Sequence, residues 1–238
     1  DSSGNSNTFT VSGTLTQNVD TPSNNFATWN PLTYHFSNQW QANTNGNTTA
    51  NGGSGSAWKT ILTTLGVSSG KYYFEAKLIS SGTNCIIGAV DINDARQNSS
   101  SAWYIGQSST GQGYQNNGAS ANGGASYGAT YANNDIIGVA MDLDNSKIYF
   151  HKNGTYQNSG DPTSGATGTG AISLTANTTY AFAVSSYAGT VWNANFGNGY
   201  FGTTAVASAG TAPSEGGIFE YNCPSGYQSL CTKGINSF

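Results

Sequence analysis

At 238 residues the chain is long enough for one large β domain with an arm, or two small domains, and can bury a sizeable core. Only 8% of its residues are charged, against about 25% in an average soluble domain, and 32 glycines with abundant Asn, Ser and Thr take their place. Aromatic residues at 12% and a net charge of only −4 exclude the composition of a disordered chain. Seven dispersed Lys and Arg, with Arg96 the sole arginine, exclude the clustered cations that nucleic-acid binding needs.

Residues 1–25 are polar apart from one alternating stretch, Phe9-Thr10-Val11-Ser12-Gly13-Thr14-Leu15, and are expected to be an arm or linker with one strand. The chain begins at Asp1, and its single Met, Met141, lies inside a strand-like run, so a processed product or the C-terminal part of a longer protein is expected. Residues 26–238 then read as one domain. Phe26, Trp29, Leu32, Tyr34 and Phe36 have the spacing of a first strand pair, and 43–57 is a flexible loop by composition. No apolar run approaches the roughly 20 residues that span a bilayer, so no membrane insertion is expected.

The next strands are clearer. After a Ser-Ser-Gly turn, Lys71–Leu78 alternates so that Tyr72, Phe74, Ala76 and Leu78 share one face, with Glu75 on the other as a surface or strand-pair residue. Cys85–Val90 is a short apolar run that suits a central strand. Residues 135–143 and 147–152 are joined by Asp144-Asn145-Ser146, a hairpin signal. Tyr180–Tyr187 and Val191–Phe196 are expected to pair around Ala188-Gly189-Thr190. No segment sustains a 3.6-residue period, and turn signals recur between short strands. The expected fold is all-β, an antiparallel two-sheet sandwich.

Several of these pieces, in this order and spacing, resemble a SPRY domain, a concanavalin A-like (jelly-roll type) sandwich. They are Gly70-Lys71-Tyr72-Tyr73-Phe74-Glu75, Ile87-Gly88-Ala89, Tyr127-Gly128, the run Asn134–Asp144, and Lys147-Ile148-Tyr149-Phe150-His151-Lys152-Asn153-Gly154. A narrower likeness lies in Asn195-Phe196-Gly197 and the segment Phe219–Thr232. These are similar to the C-terminus of SPRY-type modules in tailed-bacteriophage structural proteins, which close with an aromatic, Pro-Ser-Gly-Tyr/Phe and Leu-Cys-Thr. That likeness implies a non-catalytic virion surface protein, a fibre or spike. It implies a homo-oligomer, with a trimer favoured, in contact with other virion proteins and binding a host-surface glycan or protein receptor. Passive decoration or reinforcement of the particle is the second reading. A concanavalin A-like glycan hydrolase is the third.

Glucanases on this scaffold carry carboxylates at alternate strand positions, so that two of them flank the scissile bond. The only alternating pair here is Asp142-x-Asp144, and Asp144 falls in the expected turn. His35 and His151 lie on strands without a Gly-x-Ser-x-Gly elbow. Neither a catalytic residue nor a cofactor is expected. Cys85, Cys223 and Cys231 have no metal-ligand spacing. Cys85 reads as core, while Cys223 and Cys231 are candidates for a small disulfide. Asp91, Asn93 and Asp94 have oxygen ligands for calcium, but Asn- and Asp-rich loops make such clusters by chance. A ligand site is expected in the loop after Val90, where Asp94, Arg96, Trp103 and Tyr104, with Tyr114 from the next segment, combine aromatic faces with polar groups. The alternative for Trp103 and Tyr114 is a place in the core.

Overall fold

The computed structural model describes residues 12, 21, 24–32, 42–53, 55–94, 104–121 and 124–238. β1 (Ala42–Thr44) and β2 (Thr49–Asn51) form a hairpin, followed by β3 (Trp58–Leu62), β4 (Lys71–Ser80), β5 (Asn84–Asp91) and β6 (Gln112–Gln115). β7 (Ile136–Asp142), β8 (Lys147–Lys152), β9 (Thr155–Tyr156) and β10 (Ile172–Ser173) lead to β11 (Tyr180–Tyr187) and β12 (Val191–Asn195). β13 (Tyr200–Phe201), β14 (Thr204–Ala205), β15 (Gln228–Ser229) and one helical turn, α1 (Thr232–Ile235), complete the chain.

The larger sheet runs β1-β2-β12-β4-β7-β8-β10, with β9 on β8 and β15 on β4; the smaller runs β3-β11-β5-β6. β15 is parallel to β4, whereas the other described pairings within the two sheets are antiparallel. The core lies between the sheets. Tyr72, Phe74, Ala76 and Leu78 of β4 share one buried cluster with Cys85, Ile87 and Ala89 of β5 and Phe182 and Val184 of β11. The fold is therefore the antiparallel sandwich that the period-2 alternation of these strands demands. Phe74 stacks on Phe196 at 5.2 Å, and Trp29 meets both rings edge-on. No helix among the described residues is long and apolar enough to cross a membrane.

Four expectations change. β11 and β12 do not pair with each other. β11 lies between β3 and β5 in the small sheet, and β12 between β2 and β4 in the large one. The turn between them, with Ala188 and Gly189 at φ 57° and 78°, crosses from sheet to sheet. Buried Thr190 holds the crossing, its carbonyl accepting from Gly52 N and its hydroxyl from Gly82 N. Residues 43–57 are no loop throughout, since Asn45, Gly46 and Asn47 all take positive φ and turn β1 back as β2. Phe26 and Trp29 make isolated bridges to Cys231 and Thr63, not a strand pair, although both are buried. Cys223 and Cys231 are free thiols. Cys223 packs on the outer face of the large sheet and Cys231 in the central core, so the sheet itself separates them. The alternating stretch of the arm, like residues 33–36, lies outside the described residues.

Candidate functional site

The outer face of each sheet is covered differently. On the large sheet, alternation along β4 turns Tyr73 and Glu75 away from the core, but the C-terminal segment closes over them. Phe219, Cys223 and Tyr227 pack with Tyr73, Ala140 and Tyr149 into a second buried cluster. Glu75 is thus fully buried rather than a surface residue. Its Oε1 accepts from the Tyr73 hydroxyl and from Tyr221 N, and its Oε2 from Glu220 N, each at 2.8 Å. His151 Nε2 lies 2.6 Å from the Tyr73 hydroxyl, and its Nδ1 accepts from Gly154 N. The ring proton therefore sits on Nε2 and points at Tyr73, whose own proton points at Glu75.

Burial holds the His151 imidazole down to about 3 and pushes the Glu75 carboxyl up to about 7, against the pull of the two backbone amides. Burial and the Glu75 charge raise the Tyr73 phenol well above its ordinary value. Gly138, directly opposite His151 across β7 and β8, is glycine because a Cβ there would stand 1.9 Å from His151 Nε2. Aligned as it is, this Glu–Tyr–His chain has its donors and acceptors satisfied and is sealed from solvent. It clasps the C-terminal segment to the sheet. Lys71 adds to that closure, bridging Asp142 at 3.0 Å beside the Tyr227 ring.

The small sheet's outer face is only partly covered. Leu62, Ile86, Val90, Ala181 and Ala183 form its apolar floor under Ile105. The covering segment is pinned by Ser185, whose buried hydroxyl accepts from Ile105 N and bonds Thr60. That anchor sets Tyr104 against Trp58, the rings stacked at 4.3 Å and 26°, with Tyr187 at 5.6 Å from Trp58. All three rings are half-buried. They make an aromatic surface beside backbone and hydroxyl groups, the combination that holds a neutral, hydroxyl-rich ligand.

Of the expected ligand residues, Tyr104 lies on this surface. Asp94 accepts from Ser108 Oγ and so ties the start of the same crossing segment to the turn after Ile105–Gln107. Tyr114 does not belong to the site. It pairs with inward-facing Ile87, is fully buried among Tyr127, Tyr131 and Phe150, and donates its hydroxyl to Ala129 O. Arg96 and Trp103 lie outside the described residues. Asp91 Oδ1 accepts from Asn93 N in an ordinary turn, and no cluster of three His, Cys, Asp or Glu suited to a metal occurs among the described residues. Trp58 and Tyr187 were the residues missed. Alternation along β11 signals an outward Tyr187, but only the β3–β11 register brings Trp58 opposite it.

The model of the SPRY domain matches residues 71–198, more than half of the chain. The chain belongs to the SPRY domain family. Among solved structures it is similar to the SPRY domain of human HERC1, with 18% identity over 61% of this chain and 86% of that one, at a TM-score of 0.39. No curated protein matches it. The SPRY match takes in β4 to β12, which build most of both sheets, while Trp58 and the segment that seals Glu75 lie outside it.

Proposed function

We propose that this SPRY domain is a non-catalytic recognition module on the surface of a tailed-bacteriophage particle, binding a host-surface glycan through Trp58, Tyr104 and Tyr187. The observation that carries the reading is the half-buried Trp58–Tyr104 stack, held in place by Ser185 on a face that no described segment closes. Aromatic faces of this kind lie against the apolar side of a sugar ring. The virion setting rests on the likeness of Phe219–Thr232 to the closing segment of phage SPRY-type modules and on the sparsely charged composition. Residues 1–25 are assigned the assembly of subunits into a homotrimer.

The carboxylates support a role without catalysis. Glu75 is enclosed with its oxygens occupied, Asp142 is paired with Lys71 and Asn145, and Asp144 accepts from Gly70 N. Glu75 and Asp142 are fully buried and Asp144 sits in the β7–β8 turn, whereas a glycosidase acid and base face each other across an open groove. The test is saturable binding of the labelled chain to candidate host bacteria, in competition with phage adsorption. Binding that blocks adsorption and is lost in Trp58→Ala and Tyr104→Ala supports the reading. A folded, assembled chain that does not bind, or that releases oligosaccharide from host polysaccharide, sinks it.

A further inference from the structure

The row of side chains that carries Trp58 and Tyr187 does not end at Tyr187. In register, Trp58 of β3 stands opposite Tyr187 of β11, and Tyr187 stands opposite Asn84 of β5. Cys85 and Ile87 face the core, so Asn84 faces outward with the two rings. Neighbouring strands lie about 4.8 Å apart, which makes the row about 10 Å long.

The backbone around Asn84 is fixed on both sides. Cys85 N donates to Asn116 Oδ1 at 3.2 Å, and Cys85 O accepts from Asn116 N at 3.0 Å. Before it, Gly82 N donates to Thr190 Oγ1 at 3.0 Å, and a Cβ on Gly82 would stand 1.7 Å from Ala188 O. That turn is therefore packed onto the crossing between β11 and β12. Asn116 and Asn133 spend their side-chain oxygens on backbone amides here, those of Cys85 and Ser81. Asn84 does not. It is partly exposed, and among the described residues nothing bonds its carboxamide. Lys59 and Asp91 are the only charged residues on β3, β5, β6 and β11, and both fall at inward positions of the alternation. Lys59 bonds Gly52 O there. The described strands thus offer an ionic ligand no counter-charge on this face.

We infer that Asn84 is the specificity-determining residue of the aromatic surface, and that it selects a neutral saccharide through a pair of adjacent hydroxyls. The inference rests on the reading of that surface as a glycan site. A carboxamide presents a donor and an acceptor side by side. Two neighbouring sugar hydroxyls present the matching acceptor and donor. A sugar lying against Trp58 and Tyr187 turns the rim of its ring along the row toward Asn84. Because the backbone that carries the amide is already fixed, little ordering is left for binding to impose.

The experiment titrates the full chain with maltose, cellobiose and lactose, and with sialyllactose as the acidic counterpart of lactose, following amide and indole N–H shifts. Expected are saturable shifts at Trp58, Tyr187 and Asn84 with a neutral disaccharide, at an affinity that salt does not change. Asn84→Ala should melt with the parent, since its carboxamide holds nothing in the fold. It should bind that sugar about tenfold more weakly, as the loss of a hydrogen bond implies. Unchanged affinity in Asn84→Ala, with binding still lost in Trp58→Ala, overturns the role of Asn84 and leaves the aromatic surface standing. A lowered melting temperature in Asn84→Ala also overturns it, because the amide would then serve the fold. Sialyllactose binding more tightly than lactose overturns the neutral assignment. No response of Trp58 to any of the four sugars sinks the glycan surface and this inference with it.

Discussion

The two outer faces of the sandwich received opposite treatments. On the large sheet, three ionisable side chains, Tyr73, Glu75 and His151, are gathered under the C-terminal segment and bonded to one another and to backbone amides. On the small sheet, Tyr104 stacks on Trp58 and Tyr187 tilts against it, with no charge among the three rings, and all three remain partly exposed. A row of acid, phenol and imidazole invites a catalytic reading, yet closure makes it a clasp. The chemically bland face is the accessible one. Accessibility, more than residue type, separates a structural polar network from a candidate binding surface.

The largest effect should come from breaking the sealed face. Glu75→Ala would leave Glu220 N, Tyr221 N and the Tyr73 hydroxyl unmet, at a cost of about 3 kcal/mol or more. Gly138→Ala should cost about as much by driving the His151 ring off Tyr73. Urea denaturation checks both. Losses below about 1 kcal/mol would mean that the C-terminal segment is not clasped there.

The pH response should be next in size. His151 is held neutral, its folded value near 3 against an ordinary 6.5, so the unfolded chain binds the proton first and stability falls as pH drops through that window. Glu75 acts in the opposite sense. Its folded value is about 7 against 4.5, so its contribution is complete below pH 4.5 and is lost as pH rises to 7. The two oppose each other between pH 4.5 and 6.5, and the native chain should show a shallow profile there with a fall below 4.5. His151→Gln removes one side of the balance. That variant should gain stability on going from pH 7 to pH 5, and a profile parallel to the parent's would break the assignment.

The open face should give a smaller change in stability and a larger one in binding. Trp58→Ala should cost about 1–2 kcal/mol, because the ring is only partly buried, while abolishing host-cell binding. Unfolding of that variant would make the two faces equivalent. The smallest effect is expected from reductant. With all three thiols free, dithiothreitol should leave the melting temperature unchanged, and thiol titration of the denatured chain should count three.

Much of the fold was legible because strand alternation is a local property. Tyr72, Phe74, Ala76 and Leu78 face inward as their spacing says, and 144–146 does turn β7 into β8. Asn153 and Gly154 take the positive φ expected of such a turn. Three other features were not legible. The hairpin of β1 and β2 was hidden in a Gly- and Asn-rich stretch, although Asn45-Gly46 is a turn signal. The separation of β11 from β12 was hidden because a short turn with positive φ serves a sheet crossing as well as a hairpin. Among the described residues of the expected site, only Tyr104 stands on the aromatic surface; Asp94 ties down the segment beside it, and Tyr114 went to the core because its register sets it opposite Ile87.

By itself the sequence determined the all-β class, the inward face of each long strand, the poverty of charge, and the SPRY-like order of motifs. These follow from residue spacing and composition, which act over a few residues at a time. Only the tertiary structure decided that Glu75 is enclosed, that Cys223 and Cys231 lie on opposite sides of a sheet, and that Trp58 meets Tyr104. Each of those outcomes depends on which distant segment covers a face, and a strand's own pattern carries no record of what is laid over it.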